Sequence, residues 1–229
     1  MNKVGWIIFG AIVVLILGGL VVYSRISNPG IDVSNVDPGV AQVATDNNGQ
    51  IADHTYGNED SKVVLIEYGD FQCPSCGGAH PNIKSILEDY KDDILFIFRN
   101  FPITNIHPNA KAAAAAAEAA GLQGKYWEMH DMVFENQNSW KDYSTSERTD
   151  AFKAYAEQLG LDVDRFGADL SLASINRKIA FDVALAKKVG VDATPTFILN
   201  GEKISQEASS DVVGGSGDKL RELLDNLLN

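Results

Sequence analysis

The chain is built around the segment Phe71-Gln72-Cys73-Pro74-Ser75-Cys76-Gly77, which contains both cysteines of its 229 residues. The apolar residues 63–68 that precede this segment favour a buried β-strand. Residues 80–87 follow it with the apolar spacing of a helix. The cysteines therefore stand where a strand passes into a helix, and Pro74 takes the first helical position, where its missing N–H costs nothing.

The start of a helix is a favourable place for a reactive thiol. Its unpaired N–H groups and partial positive charge stabilise a thiolate, which lowers the pKa of a cysteine there. A thiolate attacks disulfides, and a second cysteine one turn further along can attack the mixed disulfide that results. The pattern therefore predicts Cys73 as the nucleophile and Cys76 as the resolving thiol, with Pro74 and Ser75 as the dipeptide between them.

A CxxC pair can also bind zinc or form a purely structural disulfide. A structural zinc site needs two more ligands, often a second cysteine pair, but no such pair exists and the four histidines are not spaced as ligands. Lone histidines are usually hydrogen-bonded core or surface residues, so His80 and His107 are assigned no role. A purely structural disulfide would close too small a loop to stabilise the fold much. The sequence therefore favours redox exchange and predicts neither a metal site nor a cofactor.

Three features around the motif carry a family resemblance. Glu67 lies six residues before the first cysteine, Pro81 lies eight residues after it, and Thr194-Pro195 precedes the apolar run 196–199. With these features, the chain from about residue 55 to its end resembles the DsbA-type branch of the thioredoxin superfamily. The resemblance implies an α/β thioredoxin-like fold with an inserted helical subdomain.

The resemblance also implies roles for these residues. Glu67 would be a buried acid beneath Cys76 that exchanges protons with it, since burial raises the pKa of a carboxyl toward the working range. The alternative for Glu67 is an ion-paired carboxylate at a strand end. Pro81 would kink the active-site helix. Thr194 and Pro195 would form a cis peptide that faces the dithiol and pairs with the backbone of a substrate, the alternative being a trans proline on an edge strand.

The remaining pattern agrees with such a fold. Residues 93–102 favour a second buried strand. Residues from about 106 to 190 are helical throughout, which is too long for a simple crossover, so they predict the helical insertion. Asn200-Gly201 is the strongest two-residue hairpin signal of the chain, and leucines over residues 220–228 form the single apolar stripe of a closing helix.

The amino-terminal part predicts attachment to a membrane. Residues 4–23 are uncharged and apolar, long enough to span a bilayer as a helix, with an aromatic residue near each end. A cleaved signal peptide would have a shorter apolar region and a small-x-small site. The sequence therefore predicts one transmembrane signal anchor over residues 1–25, a flexible linker over 26–50 and the DsbA-like domain over 51–229.

The distribution of charge indicates where the domain works. No Lys or Arg occurs from Ile26 to Ser61, which suits translocation, and dithiol chemistry suits an oxidising compartment. We therefore expect a single-pass protein of the cell membrane whose catalytic domain is extracytoplasmic. A net charge of −12 argues against nucleic acid as a partner.

Together these expectations describe an enzyme, a protein thiol:disulfide oxidoreductase. By resemblance it is a dithiol oxidase that introduces disulfides into unfolded or partly folded exported proteins and is reoxidised by a membrane partner. Strong oxidants of the family carry a histidine between the cysteines, whereas this chain has Pro74-Ser75, which indicates a milder oxidant. Two alternatives stay open: a disulfide reductase or isomerase of the same fold, and a non-catalytic thioredoxin-like binding module or chaperone.

Overall fold

The chain divides into two compact units, Met1–Asp32 and Val33–Asn229. The computed structural model describes residues 3–27 and 30–229. All strands among these described residues, and the CxxC segment, belong to the second unit. The fold that positions the cysteines is therefore contained in that unit alone.

The first unit contains helix α1, Lys3–Ser27. Among the residues that the structure describes, no helix is long and apolar enough to cross a membrane. The transmembrane anchor predicted over residues 1–25 lies in part outside the described residues, so it stays a prediction.

In the described part of the chain, a mixed sheet of five strands forms the centre of the second unit. The strands are β1 (Thr55–Gly57), β2 (Val64–Gly69), β3 (Leu95–Asn100), β4 (Thr196–Leu199) and β5 (Glu202–Lys203). Their order across the sheet is β1-β3-β2-β4-β5, with β2 parallel to β3 and the other neighbours antiparallel. Strands β2 and β3 are almost entirely buried, which explains why they form continuous apolar runs rather than alternating ones. The predicted α/β fold is confirmed.

Helices connect and cover these strands. Helix α2 (Pro74–Tyr90) follows β2 directly, and α9 (Gln206–Gly214) and α10 (Asp218–Leu228) close the chain. Residues 101–195, all of them described, hold α3 (Ala110–Gly121), α4 (Tyr126–Glu135), α5 (Gln137–Trp140), α6 (Thr145–Gln158), α7 (Val163–Asp169) and α8 (Ala173–Lys188). The alanine-rich α3 is buried and packs against α4 and α8, because small side chains let helices approach closely. The helical stretch expected between the second strand and the Thr-Pro strand is thus observed.

The turn between β4 and β5 is the hairpin that the sequence predicted. Its two central residues, Asn200 and Gly201, have φ angles of 49° and 85°. Two positive φ angles give a turn whose twist matches that of the strands, and Asn-Gly is the pair that adopts them at least cost. The local sequence alone therefore determines this feature.

Residues 33–53 belong to the second unit and contact its strand β3. The buried Arg99 on β3 donates from Nη1 to the carbonyl oxygen of Pro38 and from Nη2 to that of Val40, the latter at 2.7 Å. The same guanidinium contacts the Asp53 carboxylate at 2.7 Å. A buried cation requires acceptors on all its donors, and these carbonyls provide them. The compact unit accordingly begins at Val33, whereas the sequence placed the folded domain from residue 51.

Candidate active site

Both cysteines lie where β2 passes into α2, as the sequence predicted. Cys73 is the N-cap residue of α2, Pro74 follows at the first turn, and Cys76 lies within that turn. The two thiols are free, and the cysteines are 7% and 1% exposed respectively. Only the sulfur of Cys73 can therefore meet another protein without a rearrangement of the fold.

The surroundings of the dithiol separate the acidities of its two thiols. A hydrogen bond with the Cys76 side chain, opposed by burial and supported by Thr194 and by backbone N–H groups at the helix start, lowers the pKa of Cys73 to about 5. Burial, reinforced by the hydrogen bond with Cys73, raises the pKa of Cys76 well above its ordinary value. Near neutral pH one proton therefore stays on Cys76, and Cys73 carries a thiolate.

Glu67 lies on β2 beneath this pair, and it is 4% exposed. Burial is the main cause, and the charge of Cys73 the second, of a rise in the pKa of Glu67 to about 8. The charge of Glu67 in turn contributes to the raised pKa of Cys76. With its pKa raised in this way, the Glu67 carboxyl is neutral near pH 7, whereas ion pairing would lower its pKa.

The peptide bond between Thr194 and Pro195 is cis, which confirms the expectation drawn from the resemblance. The thiol of Cys73 lies 3.4 Å from the carbonyl oxygen of Thr194. Beside this contact, an open groove of about 460 Å³ runs between Ser75, the cis-proline loop and residues of α9. An extended polypeptide could lie in this groove with its backbone against the loop and a sulfur at Cys73.

Gln137, which the sequence did not single out, holds the start of α2 in place. Its Nε2 donates to the carbonyl oxygens of Phe71 and Cys73, at 2.8 Å and 2.9 Å. A side chain at Gly77 would put Cβ 2.6 Å from Gln137 Oε1, so glycine at this position leaves room for Gln137 to make these two hydrogen bonds. Gln137 is 64 residues from Cys73 and belongs to the helical insertion, so no local pattern indicated this contact.

A second polar cluster fixes the loop before the cysteines. The buried Asp70 accepts hydrogen bonds from the backbone N–H of Gln72 and of Ile103, each at 2.8 Å. Its Oδ2 also lies 2.8 Å from Nδ1 of His107, a residue to which the sequence assigned no role. The backbone N–H of Asp70 points at the sulfur of Cys76, 3.5 Å away.

Pro81 lies inside α2, as the sequence placed it. The kink that the resemblance implies for this helix stays a prediction.

A cysteine pair at the start of a helix, opposite a cis-proline in a sheet of this topology, defines the class of thiol:disulfide oxidoreductases with a thioredoxin-like fold. Residues 50–215 match the sequence profile of the thioredoxin family, and the chain therefore belongs to that family.

Solved structures with the same fold include α-DsbA2 of Wolbachia pipientis, described as a thiol-disulfide exchange protein, which is 25% identical, with a TM-score of 0.62, over 76% of this chain and 86% of that protein. The α-DsbA1 protein of Wolbachia pipientis is 28% identical, with a TM-score of 0.62, over 77% of this chain and 90% of that protein. BdbD of Bacillus subtilis is 22% identical, with a TM-score of 0.65, over 82% of this chain and 97% of that protein. The likeness to BdbD, at this identity, concerns the fold alone.

Relatives with higher sequence identity are much longer proteins. The Na⁺/H⁺ antiporter NhaA 1 of Salinispora arenicola is 42% identical over 151 residues, which are 66% of this chain and 22% of the antiporter. An antiporter of the same name from Mycolicibacterium vanbaalenii is 38% identical over 153 residues, with 65% of this chain and 23% of that protein covered. The chain thus spans less than a quarter of the length of these relatives.

Alkylation of the reduced protein tests the thiolate at Cys73. Because the pKa of Cys73 is about 5, its rate with iodoacetamide should rise through pH 5 and stay constant from about pH 6 to 8. An ordinary thiol, with a pKa of about 8.5, would still be accelerating there. As matched variants, Cys76→Ala should raise the apparent pKa of Cys73 more than Cys76→Ser, which keeps a hydroxyl donor. A wild-type rate that still climbs above pH 8 would contradict the assignment.

The variant Glu67→Gln tests the buried acid with two readouts. Disulfide exchange should slow by about tenfold or more, since general acid–base catalysis contributes roughly 10²–10⁴-fold. Since the pKa of Glu67 is raised, the folded protein keeps a proton that the unfolded chain releases above about pH 4.5. The stability of the wild type relative to the variant should therefore fall between about pH 4.5 and 8. Urea unfolding of the oxidised proteins measures this difference, and a rise with pH would indicate an ion-paired carboxylate instead.

Proposed function

We propose that this chain is a dithiol oxidase that introduces disulfides into exported proteins. The observation that carries the proposal is the stabilised thiolate of Cys73, whose pKa is lowered to about 5. Stabilisation of the thiolate stabilises the reduced protein, and a pair with a stable reduced form is a strong oxidant when it is in the disulfide form. The same property makes Cys73 a good leaving group from a mixed disulfide.

The reaction proceeds in two exchanges that balance electrons and protons. A substrate thiolate attacks the sulfur of Cys73 in the Cys73–Cys76 disulfide, a new S–S bond forms, and Cys76 leaves as a thiolate. Because burial makes that thiolate unfavourable, Cys76 takes up a proton, for which we assign Glu67, whose charge acts on Cys76, as the donor; Glu67 regains a proton from those that the two substrate thiols release. A second substrate thiolate then attacks the substrate sulfur of the mixed disulfide and releases the Cys73 thiolate. Two substrate thiols are thereby oxidised and the protein's disulfide is reduced.

The groove beside the cis-proline loop suits substrates that are unfolded or partly folded. Recognition of backbone near Thr194 does not depend on the substrate's side chains, so chains of varied sequence can be accommodated. The groove is lined by polar residues such as Ser75 and Gln206 and by apolar ones such as Ile204 and Val213, so it can contact polar and apolar parts of a substrate alike.

The descriptions of similar proteins do not specify in which direction this chain exchanges disulfides. One solved neighbour, α-DsbA2 of Wolbachia pipientis, is described as a thiol-disulfide exchange protein, which covers both directions. Pro74-Ser75 lacks the histidine of the strongest oxidants, so we propose a milder oxidase. We do not propose ion transport for this chain, because the matched region is only 22% of the antiporter.

We further propose that the domain works outside the cytoplasm, tethered through residues 1–25 and reoxidised by a membrane partner. The support is the apolar, uncharged run at residues 4–23 together with the absence of Lys and Arg between residues 26 and 61. An oxidising compartment is also where a dithiol oxidase can remain in its disulfide form.

Equilibration with glutathione tests the direction of exchange. The reduction potential of the Cys73–Cys76 pair should lie nearer to about −120 mV, as for strong oxidants, than to about −270 mV, as for thioredoxin. The oxidised protein should then form a disulfide in a reduced, unfolded two-cysteine polypeptide, and Cys73→Ser should abolish this. A potential near that of thioredoxin would make the protein a reductase, and the absence of any exchange would favour a binding module.

Labelling of intact cells tests the location. A membrane-impermeant maleimide should label the reduced protein at Cys73 without lysis, and a Cys73→Ser, Cys76→Ser variant controls for labelling of other proteins. Deletion of residues 1–25 should abolish both this labelling and recovery of the protein in the membrane fraction. Labelling that requires lysis would place the domain in the cytoplasm and reject the proposed location.

A further inference from the structure

Two buried histidines and a carboxylate meet between the active-site helix and the helical insertion. His80 belongs to α2, and His130 and Asp131 belong to α4. Nε2 of His80 lies 3.7 Å from Oδ1 of Asp131, and Nδ1 of His130 lies 3.1 Å from the same oxygen. The three side chains offer ligand atoms that all lie within 4.8 Å of one another. This group of residues 80, 130 and 131 is called the His–His–Asp cluster below.

The cluster leaves polar atoms without partners. The histidines are 6% and 4% exposed, and within the described part of the chain Nε2 of His80 has no hydrogen-bond partner. Its distance to Asp131 is too long for a hydrogen bond. Buried polar atoms nearly always have a hydrogen-bond partner. The unpaired Nε2 of His80 near Oδ1 of Asp131 therefore indicates that a further group binds between these two atoms.

The chemistry of the three side chains suits a cation. Neutral imidazole and ionised carboxylate are the forms in which these side chains bind metals.

Lys84 pairs with only one of the two carboxylate oxygens of Asp131. Its ammonium lies 2.7 Å from Oδ2 of Asp131 and 2.9 Å from Glu135, and the lysine side chain is 48% exposed. The other oxygen, Oδ1, is left to face both histidines. Hydrogen bonding of the second oxygen of a ligating carboxylate is the usual way in which such a ligand is oriented.

We propose that the His–His–Asp cluster is a binding site for a divalent transition metal ion, most simply Zn²⁺. Two imidazole nitrogens and one carboxylate oxygen are a known ligand set for zinc with an open fourth position. Tetrahedral ligands about 2.0–2.1 Å from zinc are about 3.4 Å apart, and the observed 3.1 Å and 3.7 Å lie on either side of this value. A cavity of about 50 Å³ adjoins all three residues, which is room for about one water as the fourth ligand.

Binding requires a change of tautomer at His130. The imidazole would coordinate through Nδ1, which now lies against Asp131, and its proton would reside on Nε2, a buried atom that has no hydrogen-bond partner among the described residues. The ion would join α4 to α2, the helix that begins at the cysteine pair, without using either thiol. The ligands His80 and His130 are 50 positions apart in the chain, so their spacing in the sequence gave no sign of a site.

Zinc titration of the full chain tests this site. The protein is used in its oxidised form, since a reduced CxxC pair would itself bind zinc. Equilibrium dialysis against Zn²⁺ should find one ion per chain in the wild type. In Asp131→Asn the affinity should fall by about tenfold or more, because loss of an outer-shell partner alone weakens metal binding by about 10–100-fold.

Glu135→Gln is the matched control. It removes the same charge from the same helix and also loses a contact with Lys84, but Glu135 is not one of the three ligating residues, so the variant should bind zinc like the wild type. His80→Phe keeps a ring that can stack on Phe134, as the imidazole does, and should lose binding while remaining folded. Co²⁺ should give the intense visible absorption of a tetrahedral site in the wild type and in Glu135→Gln alone.

Two results would overturn the proposal. One is that the oxidised wild type binds no zinc at micromolar concentration. The other is that Asp131→Asn and His80→Phe, each with a wild-type circular dichroism spectrum, bind zinc as tightly as Glu135→Gln does. Neither result bears on the thiol chemistry, because the dithiol is closed as a disulfide throughout.

Discussion

A sulfur atom that carries a negative charge in a position only 7% exposed needs stabilisation from the groups around it. At Cys73 that stabilisation comes from the side chain of Cys76, from Thr194 and from backbone N–H groups at the start of α2. These groups come from the first turn of a helix and from the loop before β4. The strand order β3-β2-β4 is what places that helix start and that loop beside each other.

The same requirement accounts for the polar residues behind the dithiol. A second thiol that must hold its proton is best kept buried, as Cys76 is, and a buried thiol needs a proton donor within the fold, which Glu67 can be. Gln137 and Asp70 then tie down the backbone on either side, so that the helix start keeps its geometry. The helical insertion is thus part of the site as well as a cover for the sheet.

Much of the fold could be predicted because its signals are local. The strand before the cysteines, the helix after them and the Asn200-Gly201 turn each depend on the spacing or conformational preference of adjacent residues. The cis bond at Pro195 followed from a family resemblance rather than from local physics. The packing of residues 33–53 escaped prediction, since a segment rich in Pro, Gly, Asn and Asp has the composition of a linker whether or not a buried Arg99 binds its carbonyls.

The amino-acid sequence alone sufficed to single out Cys73 and Cys76 as the candidate reacting groups, because two cysteines at a strand-to-helix junction are spaced for thiol–disulfide exchange. Their acidities were decided by the tertiary structure, since desolvation and hydrogen bonding depend on neighbours from the whole domain. The contacts of Gln137, and the meeting of His80 with His130, likewise arise only when α2 packs against the insertion. Residues that lie far apart in the chain have no fixed spacing, and it is the folded sheet and helices that bring them within bonding distance.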